Sequence, residues 1–153
     1  MLSTLHTNDT ASTVVRLVDM GIEPYLVASA VKLVVAQRLL RKICENCKEE
    51  VPVAEAEKTD ADRATLAAVE KMFRGKGCDK CNNSGYRGRR PMFEVMMVKS
   101  RDIRRAITEG GTEVQVQQIA RREGLRTLAE EAIELVNDGT TSLEEALKHI
   151  MVD

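Results

Sequence analysis

The four cysteines of this chain form two closely spaced pairs, and no other feature constrains its fold so strongly. Two residues separate Cys44 from Cys47, and two residues separate Cys78 from Cys81. This spacing lets both thiolates of a pair bind one metal ion, and two such pairs supply the four ligands of a tetrahedral zinc site. The sequence therefore predicts a structural zinc site that closes a sizeable loop.

Paired cysteines also occur in redox sites and in disulfides, and both alternatives explain less of the sequence. A redox site needs one pair and leaves the other without a role. Disulfides are typical of secreted proteins, and the sequence opens with no signal-peptide pattern. Gly77 and residues 82–85 flank the second pair and are typical of the tight turns in a metal knuckle. Metal binding is the favoured interpretation.

Composition narrows the partners that we expect. The 153 residues include 23 basic and 24 acidic side chains, and this balance argues against a simple polyanion-binding surface. There is no Trp, and there are only two Phe and two Tyr, so the chain has few side chains for base stacking. A nucleic-acid-binding zinc ribbon therefore fits poorly. No apolar run is long enough to span a bilayer, so we expect no membrane span.

The first part of the chain is predicted to alternate strands and helices. Residues 1–5 look like the end of a strand with no preceding element, which suggests a truncated domain. Asn8 or Asp9 is expected to cap a first helix, and Pro24 to open a second one. Residues 34–43 are predicted to form a strand that ends at the first cysteine pair.

The remainder is predicted to be increasingly helical. Residues 48–60 look like an acidic, solvated loop, and residues 60–73 like a helix that covers the metal-binding loop. The alternation of side chains over residues 89–98 predicts a strand. The last third is expected to hold four helices, two of which open with capping boxes that start at Thr127 and Ser142.

A series of motifs resembles the secretion ATPases, the hexameric motors of type II secretion and type IV pilus assembly. Residues 3–9, Ser-Thr-Leu-His-Thr-Asn-Asp, are similar to the His box of that family. The cysteine quartet resembles the assembly and secretion motors, because pilus-retraction motors generally lack this insertion. The similarity covers nearly the whole chain in order, through residues 16–24, 36–39, both cysteine pairs, 85–89, 93–95, 124–128 and 139–145.

The resemblance implies an α/β fold with an α-helical C-terminal subdomain and a partial RecA-like core. Residues 1–43 and 88–98 correspond to the C-terminal portion of that core, and residues 44–87 to the tetracysteine zinc-binding insertion. Residues 99–153 correspond to the helical subdomain. The family's P-loop lies upstream of the matching segment, and no G-x-x-x-x-G-K-[ST] occurs in this sequence. We therefore expect a motor fragment that does not hydrolyse ATP by itself.

The resemblance also assigns candidate residues for nucleotide sensing. His6 precedes a predicted helix N-terminus, where a loop side chain can reach a phosphate. By residue type alone a surface histidine is the simpler interpretation, but the resemblance implies a phosphate sensor whose loop is supported by Thr7 and Asn8. Gln37 and Arg38 are candidates for contacts with nucleotide or the next subunit, and a solvent-facing strand edge is an equal alternative.

Other charged residues near the cysteines have simpler interpretations. A zinc ion with four thiolate ligands leaves a net negative centre, and Arg87, Arg89 and Arg90 are expected to offset that charge rather than to form a partner surface. His149 is expected to be a solvent-facing helix residue, because four cysteines already complete a zinc site.

The leading hypothesis is the C-terminal fragment of a hexameric ATPase that powers type II secretion or type IV pilus assembly. The resemblance implies a cytoplasmic homo-hexamer at the bacterial inner membrane, with an inner-membrane platform protein as partner. ATP and Mg²⁺ are expected only in the full-length parent, whereas structural Zn²⁺ is expected here. The alternative is a stand-alone zinc-stabilised protein-interaction module. In-frame P-loop sequence upstream of Met1 would separate the two.

Overall fold

The computed structural model describes residues 2–59 and 61–150, which form a mixed α/β structure. The chain divides into two compact units. The first unit comprises Met1–Gln37 and Phe93–Thr127, and the second comprises Arg38–Met92 and Leu128–Asp153. This division differs from the three predicted domains, which stay a prediction.

Seven α-helices and four β-strands lie in the described residues, together with 3₁₀ turns at Val53–Lys58 and Asp79–Cys81. The strands are β1 (Leu33–Ile43), β2 (Lys48–Val51), β3 (Met72–Gly75) and β4 (Tyr86–Met97). The helices are α1 (Thr10–Asp19), α2 (Pro24–Ala30), α3 (Arg63–Ala68), α4 (Arg101–Thr108), α5 (Glu113–Arg122), α6 (Leu128–Asn137) and α7 (Leu143–Ile150).

The strands form two small sheets, β1 with β4 and β2 with β3. At one end of the first sheet, the N–H of Val98 donates to the carbonyl of Lys32 at 3.0 Å. At the other end, the N–H of Cys44 donates to the carbonyl of Gly85 at 2.9 Å. The start of β1 therefore lies beside the end of β4, and the two strands are antiparallel. β2 and β3 are also antiparallel.

In the first unit, helix capping and a buried carboxylate fix the start of α1. The side chain of Asp9 accepts a hydrogen bond from the N–H of Ser12 at 2.7 Å, which confirms the predicted cap. Glu94 is buried and accepts from the N–H of Thr10 at 2.9 Å and from the Thr10 hydroxyl. The apolar core of this unit consists of Ala11, Val14, Val27, Ala28, Val34, Met96, Val98, Ile103, Ile107, Val116, Ala120 and Leu125.

The second unit contains the cysteine pairs, the short sheet of β2 and β3, and the last two helices. The amphipathic pattern of α6 and α7 buries one face of each helix, and the two helices pack on one another. Buried apolar residues of this unit include Leu40, Ile43, Met92, Val136 and Leu143. The predicted helices of the last third and the predicted strands over residues 34–43 and 89–98 are confirmed.

Three local predictions were wrong. Residues 2–5 form no strand, because none of the described strands runs beside them to accept their hydrogen bonds; Met1 lies outside the described residues. The predicted loop at 48–60 contains β2, which pairs with β3. The predicted helix at 60–73 is confirmed only for Arg63–Ala68, because its last two residues belong to β3; Asp60 lies outside the described residues.

Among the described residues, no helix combines the length and the apolar character that a membrane crossing requires.

Candidate metal centre

The four thiols converge on one point in the second unit. The Sγ atoms of Cys44 and Cys78 are 3.9 Å apart, as are those of Cys47 and Cys81, and 3.7 Å separates Cys78 from Cys81. All four sulfurs lie within 4.8 Å of one another. Four sulfurs bound tetrahedrally at about 2.3 Å from a zinc ion are roughly 3.8 Å apart. The cluster could therefore hold one metal ion.

The same distances exclude disulfides within this cluster. A disulfide has a sulfur–sulfur distance of about 2.05 Å, and the four cysteines are free thiols. Cys44 and Cys81 are buried, and Cys47 and Cys78 are half-buried. A cluster of thiols so close together lowers its free energy when one cation binds all four sulfurs.

Each cysteine pair is built as a tight turn of the same kind. The N–H of Cys47 donates to the carbonyl of Cys44 at 3.1 Å, and the N–H of Cys81 donates to the carbonyl of Cys78 at 3.1 Å. The first turn lies between β1 and β2, and the second follows β3. The antiparallel pairing of β2 with β3 therefore brings two turns together that are distant in the sequence.

Backbone hydrogen bonds tie these turns to each other and to the neighbouring strands. The N–H of Lys76 donates to the carbonyl of Cys47 at 3.0 Å, and the N–H of Asn83 donates to the carbonyl of Cys78 at 2.9 Å. Asn82 and Asn83 have φ angles of 51° and 58°, in the left-handed region that asparagine tolerates better than most residues. The predicted role of the residues after the second pair in a tight turn is confirmed.

Three glycines allow a close backbone approach beside the cluster. A Cβ atom on Gly75 would collide with the carbonyl of Gly85, and one on Gly85 would collide with the carbonyl of Gly75. Gly77 has a φ of +93°, and a Cβ atom there would lie 2.8 Å from the carbonyl oxygen of Asn83. The backbone of this region can therefore pack closely only because these positions lack a side chain.

Hydrogen bonds favour the thiolate form at the second cysteine pair. The side-chain amide of Asn46 donates to the Sγ of Cys78 at 3.3 Å and lowers the pKa of that thiol. Burial acts to raise the pKa of Cys81, but hydrogen bonds from the backbone of Cys78 and Gly85 outweigh it and lower the pKa to about 6. A lowered thiol pKa suits a metal ligand, because metals bind the thiolate.

Cys47 differs from the second pair. Burial, together with side-chain hydrogen bonds to the other three cysteines, raises the pKa of the Cys47 thiol to about 12, although a backbone hydrogen bond from Gly77 acts to lower it. A positive ion at the centre of the cluster would stabilise the thiolate of Cys47 directly.

An ion pair between exposed Arg41 and buried Glu145 fixes the strand that leads into the cluster. Glu145 is 4% exposed and accepts hydrogen bonds from Nη2 of Arg41 at 2.6 Å and from its Nε at 3.0 Å. The guanidinium of Arg41 also lies 4.2 Å from the ring centroid of Tyr86. The hydroxyl of Thr141 donates to the carbonyl of Arg41 at 2.8 Å. These contacts hold the end of β1 against the start of α7.

Sequence reasoning missed this ion pair. It assigned Glu145 to a capping box, and the cap itself is present, since Ser142 Oγ accepts from the N–H of Glu145 at 3.2 Å. The carboxylate, however, also binds Arg41, which lies 104 residues earlier. The only sequence signal was an acidic residue in a helix that buries most of its first turn.

The other predicted site residues lie outside the thiol cluster. His6 and Asn8 are exposed in the segment before α1, and Thr7 shares a hydrogen bond of 2.6 Å with the hydroxyl of Thr13. Gln37 is exposed on β1, and Arg38 is half-buried on the same strand. Their predicted roles stay predictions.

The remaining charged candidates lie on α7 and β4. His149 is half-buried, and its Nε2 lies 3.8 Å from Oε1 of Glu145 on the same helix, so it faces a carboxylate rather than open solvent. Arg87, Arg89 and Arg90 are exposed on β4. Their predicted role in offsetting the charge of the metal centre stays a prediction.

Comparison with known proteins decides the family. The family described as Type II/IV secretion system protein matches residues 1–148. The chain belongs to this family. Its members among the relatives that match include proteins of both secretion and pilus assembly, and the resemblance seen in the motifs of this sequence is confirmed.

Three relatives show the range of this similarity. The chain is 38% identical over 154 residues to the Type IV pilus assembly ATPase PilB of Thermus thermophilus, covering 96% of this chain and 16% of that protein. It is 37% identical over 148 residues to the Type II secretion system protein HxcR of Pseudomonas aeruginosa, covering 97% and 28%. It is 37% identical over 153 residues to the Type II secretion system ATPase E of Vibrio cholerae, covering 97% and 29%. The chain thus spans less than a third of each relative.

Proposed function

We propose that this chain is the C-terminal part of a hexameric ATPase that drives type II secretion or type IV pilus assembly. The observation that carries the proposal is the tetracysteine cluster in a chain of this family, because its sulfur spacing fits a tetrahedral metal site. Zn²⁺ is the proposed ion, since four thiolates in a closed tetrahedron are typical of structural zinc.

The proposed zinc ion acts as a structural clip. It would join the turn after β1 to the turn after β3, and so hold residues 44–81 as one module. The bound ion supplies binding free energy that stabilises the folded module. The module would also provide a docking surface for the inner-membrane platform protein of the machine, with the parent motor located in the cytoplasm at that membrane.

An exposed apolar sheet face supports the proposal of a partial RecA-like core. On the first unit, alternate residues of β1 and β4 are buried, and the residues between them are large, apolar and between 41% and 50% exposed. Strands that are apolar on both faces are typical of sheets covered on both sides. The exposed residues are Leu33, Val35, Phe93, Val95 and Met97.

The nucleotide-dependent part of the proposal concerns His6. Its exposed position ahead of α1 leaves the imidazole free to approach a nucleotide held by another part of the parent. There it would sense the terminal phosphate of ATP, with Thr7 and Asn8 supporting the loop. Gln37 and Arg38 would contact the nucleotide or the next subunit of the hexamer.

A chimera tests the proposed function. The aligned segment of the Thermus thermophilus relative is replaced by this chain, and the ATP turnover and pilus assembly of the hybrid are measured. The proposal predicts that both persist in the hybrid, while the isolated chain shows no turnover. The proposal would be contradicted by a folded hybrid that lacks both ATP turnover and pilus assembly. It would also be contradicted by ATP hydrolysis in the isolated chain.

A further inference from the structure

The first unit carries a concentrated basic surface on the outward side of α4. Ile103 and Ile107 bury the inner side of this helix in the core. Lys99, Arg101 and Arg105 are exposed on the other side. These cations border a hollow of about 490 Å³. We call it the basic hollow, and its lining residues are Lys99, Arg101, Arg104, Arg105, Thr108 and Glu109.

One of these cations is held in place by the backbone. The Nε of Arg104 donates to the carbonyl of Val98 at 3.3 Å, and the side chain is half-buried. Among the described residues, none of the four cations has a carboxylate oxygen within ion-pair distance. By contrast, Arg74 and Lys76 of the second unit both pair with Glu49.

This arrangement costs the isolated helix stability in two ways. Arg101 and Arg105 are four positions apart, and like charges at that spacing repel one another on a helix surface. Arg101 also lies in the first turn, where the partial positive charge of the helix N-terminus disfavours a cation, and the adjacent Asp102 offsets only part of this effect. An anionic ligand would offset both penalties.

We propose that the basic hollow binds a carboxylate-rich segment of a partner protein. Three of the four cations are arginines, whose planar guanidinium groups pair with carboxylates through two parallel hydrogen bonds. Glu109 also lines the hollow and would repel a carboxylate next to it. The proposed segment therefore alternates acidic and neutral residues, so that a neutral residue faces Glu109 while the neighbouring carboxylates face the arginines.

This proposal is independent of the metal centre, because every residue of the hollow belongs to the first unit. Loss of zinc from the second unit would leave the basic hollow and its predicted binding intact. The two proposals can therefore fail separately.

The test uses the full 153-residue chain and a fluorescent peptide of alternating glutamate and serine, with binding followed by fluorescence anisotropy. The double variant Arg101→Gln/Arg105→Gln is compared with Arg16→Gln/Lys32→Gln. The second pair removes the same charge from exposed positions of the first unit. We expect the first variant to bind at least about ten-fold more weakly and the control to match the unmodified chain. Added salt should weaken binding by the unmodified chain.

Two further probes distinguish other sources of negative charge. Vesicles of equal parts phosphatidylcholine and phosphatidylglycerol report on an anionic bilayer, and inorganic triphosphate reports on a compact polyanion. Peptide binding that depends on Arg101 and Arg105 supports the proposal. Binding only to vesicles or only to triphosphate overturns it, as does peptide binding that is absent or equally strong in both variants.

Discussion

Arg41 and Glu145 form an ion pair with two hydrogen bonds. Nη2 and Nε of the arginine both donate to Oε2 of the glutamate, at 2.6 and 3.0 Å. Oε1 of Glu145 accepts from the backbone N–H of Arg41 at 3.2 Å. One buried carboxylate thus binds the side chain and the backbone of a residue three positions before the first metal ligand. This ion pair fixes the position of the end of β1, which leads directly into the first cysteine pair.

Removal of this carboxylate should destabilise the second unit. We expect Glu145→Ala to lower the free energy of unfolding by about 1–2 kcal/mol; the low figure reflects solvent screening of Arg41, whose side chain is 45% exposed. Glu144→Ala is the matched control, because the Glu144 side chain is 75% exposed and pairs only at the surface with Lys148. Urea unfolding of both variants checks this, and equal midpoints would refute a stabilising role for the pair.

The same pair predicts a pH dependence. Burial acts to raise the pKa of Glu145, but the hydrogen bonds and charge of Arg41 outweigh it and lower the pKa below its ordinary value of 4.5. A group whose folded-state pKa is depressed stabilises the fold above the unfolded-state value and loses that contribution as the pH falls. The stability difference between the unmodified chain and Glu145→Gln should therefore shrink below pH 4.5. A difference that grows on acidification would contradict this assignment.

Gly75→Ala should damage the metal-binding region. A Cβ atom at Gly75 meets the backbone of Gly85, which cannot rotate away as a side chain can. We expect a loss of about 1–3 kcal/mol in the free energy of unfolding together with weaker metal retention. Gly110→Ala is the comparison, since its Cβ atom would meet nothing within 4 Å and only its φ of +72° opposes the change. Competition with a chelator measures how strongly each variant retains the metal. Equal metal retention by the two variants would argue that the close backbone approach of Gly75 to Gly85 does not support the metal centre.

His6 is tested within the chimera, which supplies the rest of the Thermus thermophilus ATPase. His6→Ala should abolish most ATP turnover, because the proposed sensor of the terminal phosphate is lost, while the hybrid still folds and assembles. His149→Ala serves as the control, since that histidine lies on α7 beside Glu145. Unchanged turnover in the His6 variant would remove this residue from the mechanism.

Local signals made most of the secondary structure predictable. Asp9 caps α1 and Pro24 opens α2 through interactions with residues only a few positions away, so the sequence pattern reveals them. The short strands β2 and β3 were missed for the opposite reason. Lys-Glu-Glu-Val at 48–51 shows no clear alternation of apolar and polar side chains, and its strand exists because pairing with residues 72–75 stabilises it.

The candidate metal centre was predictable because ligand type and spacing are local in each pair. The contacts that support the cysteines from other parts of the chain were not predictable. The amide of Asn46 lies between the first two cysteines but binds Cys78, and Glu145 reaches Arg41 across 104 positions. Such contacts depend on how distant segments pack, and a single sequence carries no direct record of that packing.

The metal content of the purified chain shows whether the four cysteines hold a zinc ion. Protein prepared under reducing conditions, without added chelator, is analysed by mass spectrometry of its metals, beside the variants Cys44→Ser and Cys78→Ser. We expect about one zinc ion per chain, bound by the four thiolates, and a large loss of zinc in either variant. A folded, reduced chain that contains no metal, or one that keeps its zinc after both substitutions, would contradict it.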